Sequence, residues 1–506
     1  MSDQTAVWML TAGYFGVLLV IGFWAGRKIK SFEGYFLADR RLGFWVFTIL
    51  MVGSMSSGMA LLGAAGLGYF AGWPTIWEQT AVPLGVVIAL CVFGPRLHAA
   101  CSRAGHLTVQ DYLAERYESP MLVRGLSAMT VVIISLIYMV GQYTAIGITM
   151  QRALGISYEM GVVIGAVLVT VYVFVGGLYA VSWTTLFQGL ILVLGVVGVA
   201  PIIVSEAGGM TEVNRVLGEV DPHMLAVFYP QQHPPVAPYA FMTPAFAFSL
   251  FVLLSMGLSC APHVINNILA IPDSRYFRWA PLAAFVIFAG FFNLIKWAGL
   301  ATRSLAEKGA LSLPEGVANP NDFAFLVAVE TVARPEVQAL FGVIVLAAVM
   351  STTDRLLLTV GGAFAWDIYR NIFRPEASDR AVMNVSRGAV VASAALSLVL
   401  ALYPMDLLAW LIWMGVGIML AVFTPSLFAG LYWKRANRLG AVLSMSVGLA
   451  ASCGFGYYDR FVERLPVHFS LPAFCLSVAA LVVCAWLPHL SSDSSPKLQF
   501  SGRRRE

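Results

Sequence analysis

Apolar runs long enough to cross a bilayer, separated by short polar stretches, make up nearly the whole chain. Counting runs of about 18 apolar residues or more as spanning helices, the pattern predicts about thirteen of them. They cover residues 6–26, 43–70, 75–95, 124–150, 157–178, 181–206, 241–262, 279–301, 336–363, 383–403, 406–430, 437–457 and 467–487. Two are interrupted. The second carries Gly53-Ser54-Met55-Ser56-Ser57-Gly58 midway, followed by Gly63, Gly66 and Gly68, and the seventh carries Gly257-Leu258-Ser259-Cys260-Ala261-Pro262-His263. Glycine tolerates any φ and proline removes a donor, so such runs let a helix unwind and free its carbonyls. Inside a membrane, freed carbonyls survive only where they line a cavity or bind something. For the second span, close packing of small residues between helices is the other reading.

The interrupted spans open spans 2–6 and spans 7–11. Two five-helix halves entering from opposite sides form the inverted repeat of membrane carriers with discontinuous first helices. The expected fold is therefore an all-α polytopic membrane protein with broken first helices in each repeat. Its expected divisions are an N-terminal helix and basic loop (1–42), a first repeat (43–206), a loop (207–240), a second repeat (241–430), two further helices (431–487) and a tail (488–506). Residues 302–335 form the other long loop, in which Asp322 to Val332 reads as an amphipathic helix lying on the membrane surface.

The ninth span holds Ala347-Ala348-Val349-Met350-Ser351-Thr352-Thr353-Asp354, a cluster of hydroxyls and a carboxylate that anchoring alone does not need. A charge at bilayer depth costs at least about 2.5 kcal/mol, so such groups face a cavity, an ion path or a partner helix. On a helix, Ala348, Ser351 and Thr352 stand at i, i+3 and i+4, which puts a carbonyl and two hydroxyl oxygens on one side. Hard cations favour that kind of oxygen cluster. Hydroxyls bonded back to their own helix, or joining two helices, are the plainer alternative.

Composition agrees with the pattern, with 59% hydrophobic and 11% charged residues and a mean hydropathy of +0.79. The six cysteines are scattered and form no CxxC pair, so they read as small core residues. The first apolar segment has no basic residue before it and is expected to remain as a helix rather than be cleaved. With the N-terminus outside, about twenty-one Lys and Arg fall on the cytoplasmic side and about seven outside, which orients the chain with its C-terminus inside.

The residues resemble the sodium/solute symporters, a family that includes proline, glucose, sialate, acetate and pantothenate carriers. The resemblance rests on Ser57-Gly58 with Gly63 and Gly66, and on Gly176-Gly177 with Ala180, Trp183, Thr184 and Gln188. It also rests on Ala261-Pro262-His263, Ala347 to Thr352, and Gly430-Leu431-Tyr432-Trp433 with Ala436 and Gly440. The stretches Leu154 to Glu159, Glu206 to Gly209 and Asp221-Pro222 look most like the pantothenate and monocarboxylate branch. The resemblance implies a multi-pass inner-membrane symporter that uses sodium as its coupling ion and imports a small polar solute by alternating access, with a small carboxylate favoured. It implies a sodium site made of the carbonyls of Gly53, Ser56 and Ala348 and the hydroxyls of Ser351 and Thr352. The expected partners are the solute, sodium and the bilayer, with no cofactor, no other metal and no nucleic acid.

Three departures from the family pattern follow. An acidic residue expected three before Gln188 is Thr185, so a second ion position falls to Asp354 or is lost. An arginine expected five residues after Pro262 is Asn267. A carboxylate that proline carriers place in the second-span break is Met55. Residues expected to line the solute pocket are Ser57, Met59, Ala60, Glu78, Tyr138, Gln142, Tyr143, Phe251 and Ser255, whose apolar bodies and polar ends suit a small amphipathic solute. Glu78 either binds something positive or hydroxylated, pairs with Lys296, or is solvated by the loop at residues 72–75. Lys296 otherwise snorkels to an interface. A proton-coupled carrier using Asp354, and a carrier for an amino acid or polyol, stay open as alternatives. A transporter-like sensor would need a further domain, and a membrane enzyme would need clustered catalytic groups, which the seven dispersed histidines do not supply.

Overall fold

The computed structural model describes residues 3–232, 237–317, 319–403 and 408–486, so the expected tail at 488–506 lies outside the described residues. Within them the chain is helical, and ten helices are long and apolar enough to cross a membrane. The pair Phe44–Met55 and Ala60–Ala71, bent by 66°, forms an eleventh span. A straight helix as long as Tyr158–Glu206 would reach about 74 Å, more than twice the hydrocarbon thickness. It is divided at Gly177, whose φ of 46° and ψ of −149° leave the helical region. Counting its two halves separately, and adding the 17-residue helix Ser470–Trp486, recovers the thirteen segments of the hydropathy pattern.

Local signals set the ends. Thr108 and Asp111 form a reciprocal cap at the start of the short helix Val109–Arg116. Ser157, Thr243, Ser378 and Asn437 each accept a backbone N–H at a helix N-terminus, and Pro244 and Pro335 open theirs. The ninth span, Pro335–Gly362, is buried along its whole apolar window and is the central post of the bundle.

Three expectations change. The seventh span does not stop at residue 262: it breaks at Cys260-Ala261, restarts at Pro262 and runs on to Ala270. The third continues beyond residue 95 to Ala104. Asp322 to Val332 does not leave its apolar face open to lipid. Pro320–Phe323 turns into the helix Ala324–Val332, whose Phe325 and Ala328 are fully buried, with the Phe325 ring 4.6 Å from that of Phe341. Phe325 has protein on all sides, so the face that hydropathy assigned to lipid packs against the ninth span.

The stretches at residues 27–42, 96–124, 271–279 and 433–438 carry fourteen of the 31 Lys and Arg and define a basic face. There, Asp111 and Asp367 share Arg124, and Thr108 donates to Asp367 at 2.9 Å, tying the helix Val109–Arg116 to the end of the ninth span. On the opposite face, Tyr229 donates to the carbonyl of Ala71 at 3.0 Å and Trp73 to Asn214 at 2.8 Å, so the 207–240 segment holds the far arm of the broken second span.

Gly177→Ala should unfold at a lower temperature, by a loss of about 1–3 kcal/mol for a left-handed non-glycine residue. The added Cβ would also stand 2.4 Å from the Tyr35 carbonyl. An unchanged melting curve for the purified variant would contradict this account of the division.

Candidate functional site

The second span stops being helical at Ser56 and Ser57 and resumes through a wide turn over Met59–Gly63. The last carbonyls of a helix have no partner within it. Here they meet the ninth span. Thr352 Oγ1 lies 2.8 Å from the Ser56 carbonyl and 3.1 Å from that of Gly53, while Ser351 Oγ lies 2.9 Å from the Ala348 carbonyl and 3.4 Å from that of Gly53. All five residues are buried. Oxygens held about 2.3–2.6 Å from a hard cation at right angles stand about 3.2–3.7 Å apart. The cluster would need to open by only a few tenths of an ångström to hold one, with the hydroxyls turning their lone pairs inward. Gly53 lets the sixth span close in beside the cluster, since a Cβ there would lie 2.5 Å from the Thr185 methyl.

Asp354 faces away from this cluster. Its Oδ2 accepts from Tyr172 at 3.2 Å and from Thr184 at 3.4 Å, and its Oδ1 has no hydrogen-bond partner. Gln188 donates to Tyr14 at 2.9 Å nearby, so the first span reaches into the same polar group. The Thr185 hydroxyl is buried without a partner between that group and Gly53.

Of the residues expected to line a solute pocket, Ser57, Tyr138 and Gln142 meet at the break. Gln142 Oε1 accepts the Gly58 N–H at 2.9 Å, and Tyr138 stands one turn away on the same helix beside Ser57. Ala60 is buried in the same turn, where its N–H reaches Ser57 Oγ at 3.3 Å. Tyr143 does not join them: one residue on from Gln142, it points to the fifth span beside Thr170. Phe251 and Ser255 pack against the third span, Phe251 edge-on to Trp77 and Ser255 beside Gly85, with the Ser255 hydroxyl bonded to the Phe251 carbonyl. The side chain of Met59 lies outside the described residues.

Glu78 is not solvated by its loop and Lys296 does not snorkel, because both side chains are fully buried, with Nζ 3.7 Å from Oε2. Lys296 also donates to the Ala64 carbonyl and to Thr75, each at 2.8 Å. The pair pins the far arm of the broken second span to the eighth span. Asn267 donates to Ser54 at 2.9 Å, and the guanidinium beside this stretch is that of Arg355, which donates to the His263 carbonyl at 3.4 Å. Arg355 escaped sequence reasoning because it follows Asp354. Tyr14 and Tyr172 escaped because a lone tyrosine in an apolar run carries no spacing signal.

Residues 35–448 match the sodium:solute symporter family. The chain belongs to that family. It is 27% identical over 495 residues to the osmoregulated proline transporter of Bacillus subtilis, covering 96% of this chain and 95% of that one. It is 26% identical over 485 residues to the sodium/pantothenate symporter of Escherichia coli, covering 95% and 96%. Among solved structures it resembles a substrate-bound, outward-open Na+-coupled sialic acid symporter, with a TM-score of 0.77 and 17% identity over 96% of this chain and 98% of that one. A nucleobase-cation-symport-1 family transporter in a closed conformation gives a TM-score of 0.54 at 14% identity, covering 89% and 94%. This family member is thus a multi-pass membrane transport protein, and the fold is that of sodium-coupled carriers.

Removing one partner of a buried pair costs about 3–5 kcal/mol, while removing both leaves no stranded charge. Glu78→Leu and Lys296→Met should therefore each lower stability strongly, and the double variant should lose much less than their sum. Additive losses in denaturation of the purified variants would show that the two charges act independently.

Proposed function

We propose that this protein is a sodium-coupled symporter that imports a small polar organic solute by alternating access, with a small carboxylate favoured. The observation that carries this reading is the buried group of five oxygens drawn from the helix end at the second-span break and from the ninth span. Sodium bound among Gly53, Ser56, Ala348, Ser351 and Thr352 joins one helix of each half, so its occupancy biases which side is closed and orders Ser57, Tyr138 and Gln142 next to it. Coupling is reciprocal: sodium raises solute affinity by the factor by which solute raises that of sodium. The basic face is cytoplasmic in this reading, and the membrane is the cell's inner membrane.

Family membership, the Na+-coupled sialic acid symporter among the structural neighbours and relatives named for proline and pantothenate support the reading without fixing the solute. Glu78 is paired with Lys296, so its charge does not stand against an anionic solute. A proton-coupled carrier is the second reading, favoured by one observation, the buried and unpartnered Oδ1 of Asp354.

Uptake of labelled carboxylates, amino acids and polyols into proteoliposomes separates the two. An inward sodium gradient should drive uptake, and Ser351→Ala with Thr352→Ala should reduce it by about tenfold or more at low sodium, as expected for loss of two ligands to a charge. Uptake driven equally by a proton gradient alone, and abolished only in Asp354→Asn, would overturn sodium coupling and leave the carrier reading in place.

A further inference from the structure

Arg355 lies one turn from Ser351 and Thr352 toward the basic face and is 2% exposed. A guanidinium is always charged, and burying one without an anion is costly. Yet among the described residues Arg355 makes no ion pair. Its Nη2 reaches only the His263 carbonyl, and Nε and Nη1 have no hydrogen-bond partner. Its neighbour Asp354 offsets part of the charge but makes no side-chain hydrogen bond to the guanidinium, because successive helical residues point about 100° apart and Asp354 is turned to Tyr172 and Thr184.

The groups around Arg355 are left open in the same way. His263, 1% exposed, has Nε2 without a partner, and Asn267, four residues on, has Oδ1 without one. The His263 ring stands 5.6 Å from that of Tyr138, whose hydroxyl lies beside Ser57 at the second-span break. Polar groups therefore run from the break past His263 to Arg355. Each open one costs about 1–3 kcal/mol when nothing pairs with it, so a file of them points to a guest that passes through.

The chemistry selects the guest. A cation is repelled by Arg355, and an uncharged polyol leaves the guanidinium unpaired. A carboxylate fits the planar fork of Nε and an Nη, and makes bonds stronger than neutral ones. A hydroxyl or amide N–H on the same molecule would satisfy Asn267 Oδ1, which a halide cannot do.

We propose that Arg355, with His263, Asn267 and Tyr138, forms a carboxylate-binding station on the path between the second-span break and the basic face, and that the solute is accordingly an organic acid. This deepens the symporter reading and rests on it for the direction of passage.

The test uses the purified full-length chain in detergent, with thermal unfolding as the readout. The probes are sodium against choline, and lactate and pantothenate against lactamide and pantothenol. At least one of the two acids should stabilise the wild-type chain in sodium, and its uncharged counterpart should not. Arg355→Gln should weaken the acid's half-saturation about tenfold or more while keeping the response to sodium, and Arg355→Lys should lose less. Asn267→Asp, which supplies an internal carboxylate beside the station, should suppress acid binding as well. Equal stabilisation by acid and uncharged counterpart, no response to either acid, or an Arg355→Gln affinity within about twofold of wild type would overturn the proposal. The comparison of acid with uncharged counterpart needs no variant, so a misfolded substitution does not spoil it. Acid binding without any sodium response would remove the symporter reading and keep the station, and the reverse would keep the reading and remove the station.

Discussion

A helix cannot stop inside hydrocarbon unless something meets the carbonyls it leaves behind, and the rest of this structure answers that constraint. The second span breaks at Ser56 and Ser57, and the hydroxyls of Ser351 and Thr352 stand where the carbonyls of Gly53 and Ser56 need a donor or a cation. The ninth span must therefore be buried along its length, and Gly53 must remain small enough for Thr185 of the sixth span to pack beside it. The same five oxygens that close the gap by hydrogen bonding suit a hard cation after a small opening, which links the stability of the break to ion binding.

Two further devices hold the parts around this point. On the side opposite the basic face, Lys296 ties the far arm of the broken helix to the eighth span while pairing with Glu78, and the 207–240 segment closes over that arm through Tyr229 and Trp73. On the basic face, Arg124 joins Asp111 to Asp367 and secures the short helix Val109–Arg116 against the ninth span. In the proposed symporter, access to the break from either side would require one of these sets to part, and alternating access would be a competition between two polar latches biased by ion occupancy.

The break and the ninth-span oxygens were legible in the sequence because Gly, Ser and Thr grouped at mid-span have few other uses in a membrane, and helical spacing says which share a face. The same rule separates Tyr143 from Gln142, since its place one residue later turns it to another face, beside Thr170. The Glu78–Lys296 pair could be raised but not decided, because no local pattern reports a contact between distant spans. The helix Ala324–Val332 was misplaced because hydropathy shows that a face is apolar and cannot say whether lipid or protein covers it. The seventh span was cut short because proline marks the break, and the backbone beyond resumes in short turns with no helical period. Arg355 went unseen because neighbours in sequence on a helix face different partners.

The central claim is that the oxygens of the second-span break and the ninth span are a cation site. Equilibrium binding of radioactive sodium to the purified chain tests it without any knowledge of the solute. Saturable binding that competes with unlabelled sodium, persists in Asp354→Asn and disappears when Thr352 is changed to Ala is the predicted result. Binding unaffected by Thr352→Ala, or no saturable binding in the unaltered chain, would mean that the hydroxyls only seal the break.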